Sequence, residues 1–283
     1  MVSMIIVDYK SMDKTIKYIK ECASNIQGLD HFVIVDNASD VPIKPRKMVV
    51  EKKEVYLVSS GENGGYAKGN NLGAKTAKEI FNDDYYIFSN NDLKFNKQFL
   101  LQVFLDPFGE DNRIAAVGPK MIGLDGWKQN PLVELTWKQS LFSNFTKLLL
   151  PKHIKKQPKE ASKGPCRAVS GAFMCVDSKK FWECGGFDEN TFLFMEEMIL
   201  SSRYSKKEYY MYFNNDVEVI HEHGDTVKST IGIINALRTE YDSRYYYAKT
   251  YYHVAALWLA LSKIHFEIVM ALFRLKKSIR GNR

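Results

Sequence analysis

The chain has 283 residues, of which 45% are hydrophobic and 26% are charged, and its formal net charge is +7. This length suits one α/β domain with an appendage, and the apolar content is enough for a sizeable core, which excludes a disordered or fibrous chain. The four cysteines are scattered and form no C-x-x-C pair, which excludes a disulfide scaffold and argues against a structural zinc site. This cysteine usage indicates reduced thiols in a cytosolic protein.

The positive charge is concentrated in two stretches of the chain. Residues 152–167 and 263–283 each contain six Lys or Arg and one acidic residue, so the remainder is mildly acidic. Such patches are typical of sites for phosphates or for an anionic membrane surface. A nucleic-acid binder is the alternative, but the acidic body and the lack of interleaved aromatic and basic residues argue against it. The apolar run after Met1 has neither a basic region before it nor a small-residue cleavage site, so we expect no signal peptide.

The first part of the chain alternates short apolar runs with amphipathic segments. Strands are predicted at 2–8, 31–35, 55–59, 85–89 and 114–118, with helices at 15–26, 66–81 and 96–105. Strands that alternate with helices are typical of a mostly parallel, Rossmann-like sheet with helices on both faces. The fold class predicted is therefore α/β.

The second part of the chain is less regular. Residues 127–164 contain three prolines and a basic run, and we interpret them as a surface excursion with mobile parts. Further strands are predicted at 168–176 and 217–220, and helices at 179–183, 195–206 and 231–249. The expected domains are residues 1–230 and a set of C-terminal helices at 231–283.

Polar residues follow the predicted strands at their carboxyl ends. The clusters are Asp8-Tyr9, Asp36-Asn37, Asn63-Gly64-Gly65 and Asn90-Asn91-Asp92. Ligands of open α/β sheets bind at this edge, so the clusters predict a nucleotide pocket. No G-x-G-x-x-G follows the first strand and no P-loop occurs, so we expect no glycine loop to grip the nucleotide. A divalent cation held by an acidic side chain would neutralise a diphosphate instead.

An ordered set of motifs resembles the inverting family 2 glycosyltransferases, in particular the rhamnosyltransferase-like branch of bacterial surface polysaccharide synthesis. The motifs are D-N-A-S (36–39), N-G-G-Y-A-K-G-N-N-L-G (63–73), N-N-D (90–92), S-G-A-F (170–173), G-G-F-D-E (185–189), F-L-F-M-E-E (192–197), Arg203 and H-E-H-G-D-T (221–226). The resemblance covers residues 2 to about 230. It implies a GT-A catalytic domain at 1–230, with a nucleotide-sugar half (1–118) and an acceptor half (119–230).

The resemblance also implies roles for residues at the edge of the sheet. The donor-binding residues would be Tyr9, Asp36, Asn63, Lys68, Asn70 and Asn91. Asn90 and Asp92 occupy the position of the metal-binding D-x-D motif, and His221 matches a histidine that helps to hold the metal, with His223 competing for that role. Asn90 is a weaker ligand than a carboxylate, so Asp92 would be the main ligand of a Mg²⁺ or Mn²⁺ ion.

The pair Glu196-Glu197 occupies the position of the family's catalytic acids. The family usually has Glu-Asp here, and the second acid takes the proton from the acceptor hydroxyl. Glu197 is therefore the expected base and Glu196 the expected acceptor contact. Ile199 is a second departure, since the family often has Asp there.

The function that follows is transfer of a hexose or deoxyhexose from a UDP or dTDP donor to a glycan or lipid-linked acceptor. A non-catalytic nucleotide-sugar binding module is the alternative. The apolar runs at 254–261 and 268–273 are interrupted by charges, so we expect them to be too short to span a bilayer. An amphipathic helix with a basic tail would instead lie on the cytoplasmic face of the membrane, or else dock on the core.

Overall fold

The computed structural model describes residues 1–38, 43–149, 160–222 and 232–281, with side chains to residue 278. Most of the basic run at 152–163 and His223 lie outside the described residues. The chain forms two compact units. Unit 1 comprises Met1–Val133, Pro158–Phe192 and Glu196–Gly224, and unit 2 comprises Glu134–Gln157, Leu193–Met195 and Asp225–Arg283. The described residues 134–149 therefore group with the C-terminal helices.

Unit 1 is built on one large mixed sheet. Its strands are β1 (Val2–Asp8), β3 (His31–Asp36), β4 (Arg46–Val50), β5 (Lys53–Ser59), β6 (Tyr85–Ser89), β7 (Leu93–Lys94), β9 (Ile114–Gly123), β10 (Gly164–Cys166), β11 (Phe173–Asp177) and β12 (Tyr210–His221). Their order is β10-β12-β9-β11-β6-β1-β3-β5-β4, with β7 paired to β12. The two short strands β2 (Ile26–Gln27) and β8 (Phe99–Leu100) pair separately.

The parallel block of the sheet consists of β6, β1, β3 and β5. Most of their apolar residues are buried on both faces, as expected for strands that are covered by helices on each side. The pairing places Asp8 beside Asp36, and Asp36 beside Ser59, so the polar ends of three strands meet at one edge. β11 runs antiparallel to both β6 and β9.

The helices of unit 1 cover the sheet. They are α1 (Met12–Asn25), α2 (Gly65–Ile80), α3 (Leu101–Glu110), α5 (Ser178–Glu183) and α6 (Glu196–Ser205). The helix predicted at 96–105 begins instead at Leu101, because Phe99 and Leu100 pair with Ile26 and Gln27. α2 lies very close to the sheet. A Cβ atom at Gly69 would come within 2.9 Å of Val7, and one at Gly73 within 2.4 Å of Ile5.

Unit 2 has a helical core. It contains a π-helical turn at Gln139–Ser143 that leads into the short α4 (Asn144–Thr146), followed by α7 (Ile233–Thr250) and α8 (Ala256–Gly281). Leu141 and Phe145 are buried among side chains of α7 and α8. The prediction of a surface excursion is therefore wrong for this part of residues 127–164, because its apolar side chains form core.

Helix α8 is longer and more apolar than the sequence analysis predicted. Its segment Ala256–Ser278 has a mean hydropathy of 1.6 in the most apolar window, which is long and apolar enough to cross a membrane. The expectation that this segment falls short of a span is therefore wrong, because the helix continues through the charged positions without a break. One face of α8 packs in unit 2 through Leu259, Phe266 and Met270.

The close approach of α2 to β1 makes a test of this packing. The change Gly73→Ala places a methyl group against Ile5 and Val35, so we expect the free energy of unfolding to fall by about 1–3 kcal/mol. The matched control is Gly109→Ala in α3, where a Cβ atom meets nothing within 4 Å. Urea denaturation should show the loss for the first variant alone. Equal stability of the two would contradict the packing.

Candidate active site

A hydrogen-bonded network joins the ends of β1 and β6. The buried Asp8 carboxylate accepts hydrogen bonds from the Ser11 hydroxyl at 2.8 Å and the Thr15 hydroxyl at 2.5 Å. The Asn91 side-chain amide donates to the same two hydroxyl oxygens, at 3.0 and 2.7 Å. The Asn91 side chain, predicted to bind the donor, is therefore engaged in fixing the turn that carries Asp92.

Asn37 organises the neighbouring loop between β5 and α2. Its side-chain oxygen accepts hydrogen bonds from the Ser60 hydroxyl at 3.1 Å and the Gly64 N–H at 3.2 Å, and its NH₂ group donates to Asn63 at 3.1 Å. Asn37 was not among the predicted site residues, although its motif contained it. This network gives the loop a defined shape with the Asn63 side chain on the surface.

The other predicted donor-binding residues differ in accessibility. Asp36 is fully buried at the end of β3, and the Ser59 hydroxyl lies 3.3 Å from its carboxylate. Tyr9 is half-buried, and Lys68 is exposed beside Glu62. Asn70 is buried, and its amide donates to the Tyr66 carbonyl one helical turn earlier. Tyr9, Asn63 and Lys68 thus keep surface that a ligand can reach.

The start of α2 is fixed to the segment that precedes α6. Gly65 has a positive φ of 79°, and a Cβ atom there would lie 2.0 Å from the Phe192 carbonyl oxygen. The Tyr66 N–H donates to that same oxygen at 3.0 Å. Any residue other than glycine at position 65 would displace the backbone. The second glycine of N-G-G-Y is therefore required for steric reasons as well as for the turn.

The loop at Gly171 and Ala172 connects the predicted base to the end of β6. The Gly171 N–H donates to Oε1 of Glu197 at 2.9 Å, and the Ala172 carbonyl accepts from the Asn90 N–H at 2.9 Å. The Tyr66 hydroxyl donates to the Gly171 carbonyl at 2.7 Å. Consecutive residues of one loop therefore bind the Glu197 side chain and the backbone of the turn that contains Asp92. Sequence reasoning missed Tyr66 and Gly171 as structural partners of the base.

Burial controls the protonation of Glu197. It raises the pKa of the Glu197 carboxyl above its ordinary value, and the hydrogen bond from Gly171 opposes this only in part. Burial, together with the charges of Glu197 and Glu196, raises the pKa of Tyr66 well above its ordinary value. Glu196 is only 4% exposed, whereas Glu197 keeps more of its surface accessible. A half-buried carboxylate of raised basicity is suited to accepting a proton.

The backbone before α6 is strained. Phe194 and Met195 have φ values of 73° and 72°, in the left-handed region that such residues rarely adopt. Residues in this region cost free energy and persist where the surrounding structure requires them. Here the conformation directs the chain into α6, whose first two residues are Glu196 and Glu197.

A second pair of polar side chains lies where β7 meets β12. That pairing brings His221 opposite Leu93, so Nε2 of His221 lies 3.3 Å from Oδ1 of Asp92. Burial opposes ionisation of Asp92, but the hydrogen bond and charge of His221, with the charge of Lys14, lower the pKa of Asp92 overall. Nδ1 of His221 lies 2.8 Å from the side-chain oxygen of Gln129.

The donor atoms of this pair fit a divalent cation. Oδ1 of Asp92 is buried, and among the described residues it has no well-formed hydrogen bond beyond the 3.3 Å approach of His221. Two neighbouring ligands of an octahedral ion with bonds of about 2.1 Å lie ~3.0 Å apart, close to the Asp92–His221 spacing. Within the described ranges no cluster of three or more His, Cys, Asp or Glu side chains occurs. Asp92 and His221 are thus the pair among the described residues that could hold such an ion, and a diphosphate and water could complete its ligands.

The motif at 185–189 has a structural role. The buried Asn71 side chain bonds both the N–H and the carbonyl of Phe187, at 3.0 Å each, and also Glu189 at 2.9 Å. Arg203 lies 2.9 Å from the Asp188 carboxylate and donates to the Gly186 carbonyl at 3.0 Å. These bonds hold α2 and α6 in fixed positions around the loop.

The chain matches the family model described as "Glycosyl transferase family 2" over residues 3–180. It therefore belongs to this family, and the predicted membership is confirmed. It is 27% identical over 197 residues to the low-salt glycan biosynthesis hexosyltransferase Agl10 of Haloferax volcanii, covering 69% of this chain and 59% of that protein. It is 27% identical over 206 residues to the N-acetylglucosaminyl-diphospho-decaprenol L-rhamnosyltransferase of Mycobacterium tuberculosis, covering 67% and 65%.

Solved structures share the fold. The match to GalNAc-T7 with UDP, GalNAc and Mn²⁺ has a TM-score of 0.55 at 15% identity and covers 95% of this chain and 56% of that one. The match to the mannosyltransferase PcManGT of Pyrobaculum calidifontis with GDP-Man and Mn²⁺ has a TM-score of 0.52 at 11% identity and covers 98% and 75%. The predicted α/β, GT-A class is confirmed. The chain spans about 60 to 65% of the length of its curated relatives.

The raised pKa of Glu197 predicts a stability effect. Folding favours the protonated carboxyl, so its contribution to stability is present below the unfolded pKa and is lost as the pH rises through the folded pKa. The change Glu197→Gln removes the buried charge, so we expect the melting temperature at pH 8 to rise by about 1–3 °C. Exposed Glu79→Gln is the control. Thermal melts that show no gain at pH 8, or the same gain at pH 4, would contradict this.

Proposed function

We propose that this chain is an inverting glycosyltransferase. It transfers a hexosyl or deoxyhexosyl group from a UDP or dTDP donor to a glycan or lipid-linked saccharide in surface polysaccharide synthesis. The observation that carries the proposal is the Gly171–Ala172 loop, which binds the Glu197 carboxylate on one side and the turn of Asn90 and Asp92 on the other. Family membership and the donors named for the similar structures support it.

The donor lies along the edge of the sheet in this proposal. Tyr9 and the surface of the loop at Asn63 contact the nucleoside, and Asp36 lies at the base of the pocket. Lys68, in the first turn of α2, binds the phosphates. Asn70 and Asn91 act through the bonds that shape the edge. Asp92 and His221, with Asn90 beside them, would hold a Mg²⁺ or Mn²⁺ ion, which would offset the charge of the departing nucleoside diphosphate.

Glu197 acts as the base. As the acceptor oxygen bonds to C1 of the sugar, the bond from C1 to the diphosphate oxygen breaks, and the hydroxyl proton passes to the Glu197 carboxylate. One attack from the opposite face inverts C1. Glu196 is nearly buried, so in this proposal it positions the base and the acceptor rather than accepting the proton. The fully buried Ile199 lies in the core behind them.

The departures at Asn90, Glu197 and Ile199 favour the alternative of a nucleotide-sugar binding module without turnover. One measurement distinguishes the two functions. It is the release of nucleoside diphosphate from a panel of donors, in the presence of Mn²⁺ and lipid-linked acceptors. Glycosyl transfer supports the enzyme. Donor binding without any turnover across the panel supports the module.

We further propose that the protein works at the cytoplasmic face of the membrane, held there by the outer face of α8. That face carries large apolar side chains that are 40 to 67% exposed: Leu257, Trp258, Leu261, Ile264, Ile268, Leu272 and Leu275. Apart from Trp258, they recur three or four residues apart, opposite the face that packs in unit 2. Because Phe266 and Met270 are buried in that core, the helix has one face left for lipid, which favours lying in the interface over spanning. The basic tail adds attraction to anionic lipid.

The base is tested by two substitutions. Glu197→Gln should lower transfer by about 10²- to 10⁴-fold while leaving the Kd for UDP or dTDP unchanged. Glu197→Asp moves the carboxylate by about 1 Å and should cost roughly 100-fold. Glu79→Gln should behave as wild type. The assay measures glycosyl transfer and is corrected for hydrolysis of the donor. Near-normal turnover of Glu197→Gln in this assay would exclude Glu197 as the base.

The membrane surface is tested by sedimentation with vesicles. Wild-type protein should bind vesicles that contain anionic phospholipid, and Ile264→Glu with Ile268→Glu should weaken binding at least ~10-fold, because each change removes an apolar contact worth about 1.5–3 kcal/mol. Val49→Glu, on an exposed strand of unit 1, is the control for the added charge. Wild-type binding by the double variant would refute the assignment. If the wild-type protein is a dimer without lipid and the double variant is a monomer, this face binds a second copy of the chain instead.

A further inference from the structure

Unit 2 contains an open cavity of about 460 Å³. Its lining comes from two segments of the unit: Glu134, Thr136, Trp137 and Lys138 precede the π-helical turn, and Tyr252 follows α7. None of these five residues has a part in the proposed transfer. Small-molecule sites usually have volumes of roughly 300–1,000 Å³, so this cavity is large enough to hold a ligand.

Two aromatic rings of the lining are held in place by neighbouring side chains. Trp137 packs against Trp258 of α8, with ring centroids 5.7 Å apart, and the Lys138 ammonium lies 5.5 Å from the centre of the Trp137 ring. Tyr252 packs edge-on against Tyr247, with ring centroids 5.1 Å apart. Such rings offer a large, rigid contact surface at a small cost in conformational entropy. The faces of aromatic rings are electron-rich, so they attract the weakly positive C–H groups of a sugar ring.

Glu134 supplies a fixed hydrogen-bond acceptor beside these rings. Its Oε1 accepts hydrogen bonds from the hydroxyl groups of Tyr252 at 2.9 Å and Tyr247 at 3.2 Å. The Tyr252 hydroxyl also lies 2.9 Å from the carbonyl oxygen of Leu135, which restrains it further. A carboxylate can accept from about four donors, which is more than these two tyrosines supply. Adjacent hydroxyl groups of a sugar are donors that can bond such a carboxylate together.

The backbone that carries Trp137 is restrained by a local motif. The Thr136 N–H donates to Oε1 of Gln139 at 3.0 Å, and the Gln139 N–H donates to the Thr136 hydroxyl at 3.3 Å. These reciprocal bonds form a capping box at the start of the helical turn, with Trp137 and Lys138 between its two ends. The cavity therefore has its shape before a ligand arrives, which lowers the entropic cost of binding.

The charges of the lining favour a neutral ligand. Glu134 and Lys138 contribute one charge of each sign, so their sum attracts neither a cation nor an anion. Aromatic surface beside a carboxylate acceptor matches a molecule that has an apolar face and several hydroxyl groups, and a saccharide has this chemistry. A zwitterionic lipid headgroup, which could bridge the two charges, is the competing ligand that the test includes.

We propose that this cavity binds a saccharide, the sugar portion of the lipid-linked acceptor. Trp258, whose ring packs against Trp137, also belongs to the exposed outer face of α8. The cavity therefore adjoins the surface that is proposed to lie on the membrane, where the sugars of a lipid-linked acceptor are found. Tryptophan is suited to this boundary between lipid and water. The inference rests on the proposed function, because it assigns a binding site to the acceptor of that reaction.

The test titrates the whole chain, without donor or metal, with methyl glycosides of glucose, galactose, mannose, rhamnose and N-acetylglucosamine, and with maltose and chitobiose. The protein is labelled with 5-fluorotryptophan, its ¹⁹F signals are assigned with single tryptophan variants, and each signal is followed during the titration. At least one saccharide should shift the Trp137 signal in a saturable manner. The signal of Trp182, in α5 of unit 1, should stay unchanged.

Two substitutions test the lining. Trp137→Leu removes the aromatic surface, and Glu134→Gln removes the charge of the acceptor while keeping its shape. Each should weaken binding of that saccharide at least ~10-fold in saturation-transfer difference NMR. Trp182→Leu is the matched control, since it removes another half-buried indole ring and should bind as wild type. Far-UV circular dichroism and thermal melts establish that each variant is folded.

The proposal is overturned if no saccharide of the panel moves the Trp137 signal, or if folded Trp137→Leu and Glu134→Gln bind as wild type. A signal that moves with phosphocholine or phosphoethanolamine but with no sugar would assign the cavity to a lipid headgroup instead. Because the titration needs neither donor nor metal, its result does not depend on whether transfer occurs. In a transfer assay, Trp137→Leu should raise the KM for the acceptor and change kcat little, and a loss of kcat alone would contradict a binding role.

Discussion

The candidate site depends on the backbone of one short loop. The N–H of Gly171 binds Glu197, the carbonyl of Gly171 accepts from Tyr66, and the carbonyl of Ala172 accepts from Asn90. Three segments that are far apart in sequence therefore meet at two adjacent residues. A Cβ atom at Gly171 would lie 2.5 Å from the Tyr66 hydroxyl and 3.2 Å from the Glu197 carboxylate, so only glycine allows all three contacts at these distances.

Glu197 and Asp92 lie in opposite electrostatic environments. Burial raises the pKa of Glu197, and hydrogen bonds from backbone amides, that of Gly171 among them, hold the direction of its carboxylate. A lysine or arginine partner would hold the carboxylate equally well but would reduce its basicity. Asp92 has the opposite environment, since His221 and Lys14 favour its charged form. The two environments thus suit the roles proposed for these acids, Glu197 as the base and Asp92 as a metal ligand.

The sequence predicted correctly those elements whose ends are determined by neighbouring residues in the chain. β1 and β6 begin and end as predicted, because their apolar runs stop at polar turns. It failed where contacts are distant in sequence. The buried Phe145 gives no local sign that its segment packs with α7 and α8, and the antiparallel direction of β11 depends on its neighbours. Gln129 is 92 residues from His221, so no spacing could connect them. The site residues named from motifs remain predictions, but the structure gives Asn71 and Arg203 clear structural roles.

The most direct test of this account is a crystal structure of the protein with UDP and Mn²⁺. The account predicts Mn²⁺ bound by Oδ1 of Asp92 and Nε2 of His221 together with diphosphate oxygens, with the Glu197 carboxylate facing open space beside the terminal phosphate. A Mn²⁺ ion bound elsewhere, or a Glu197 carboxylate directed away from the diphosphate, would contradict it.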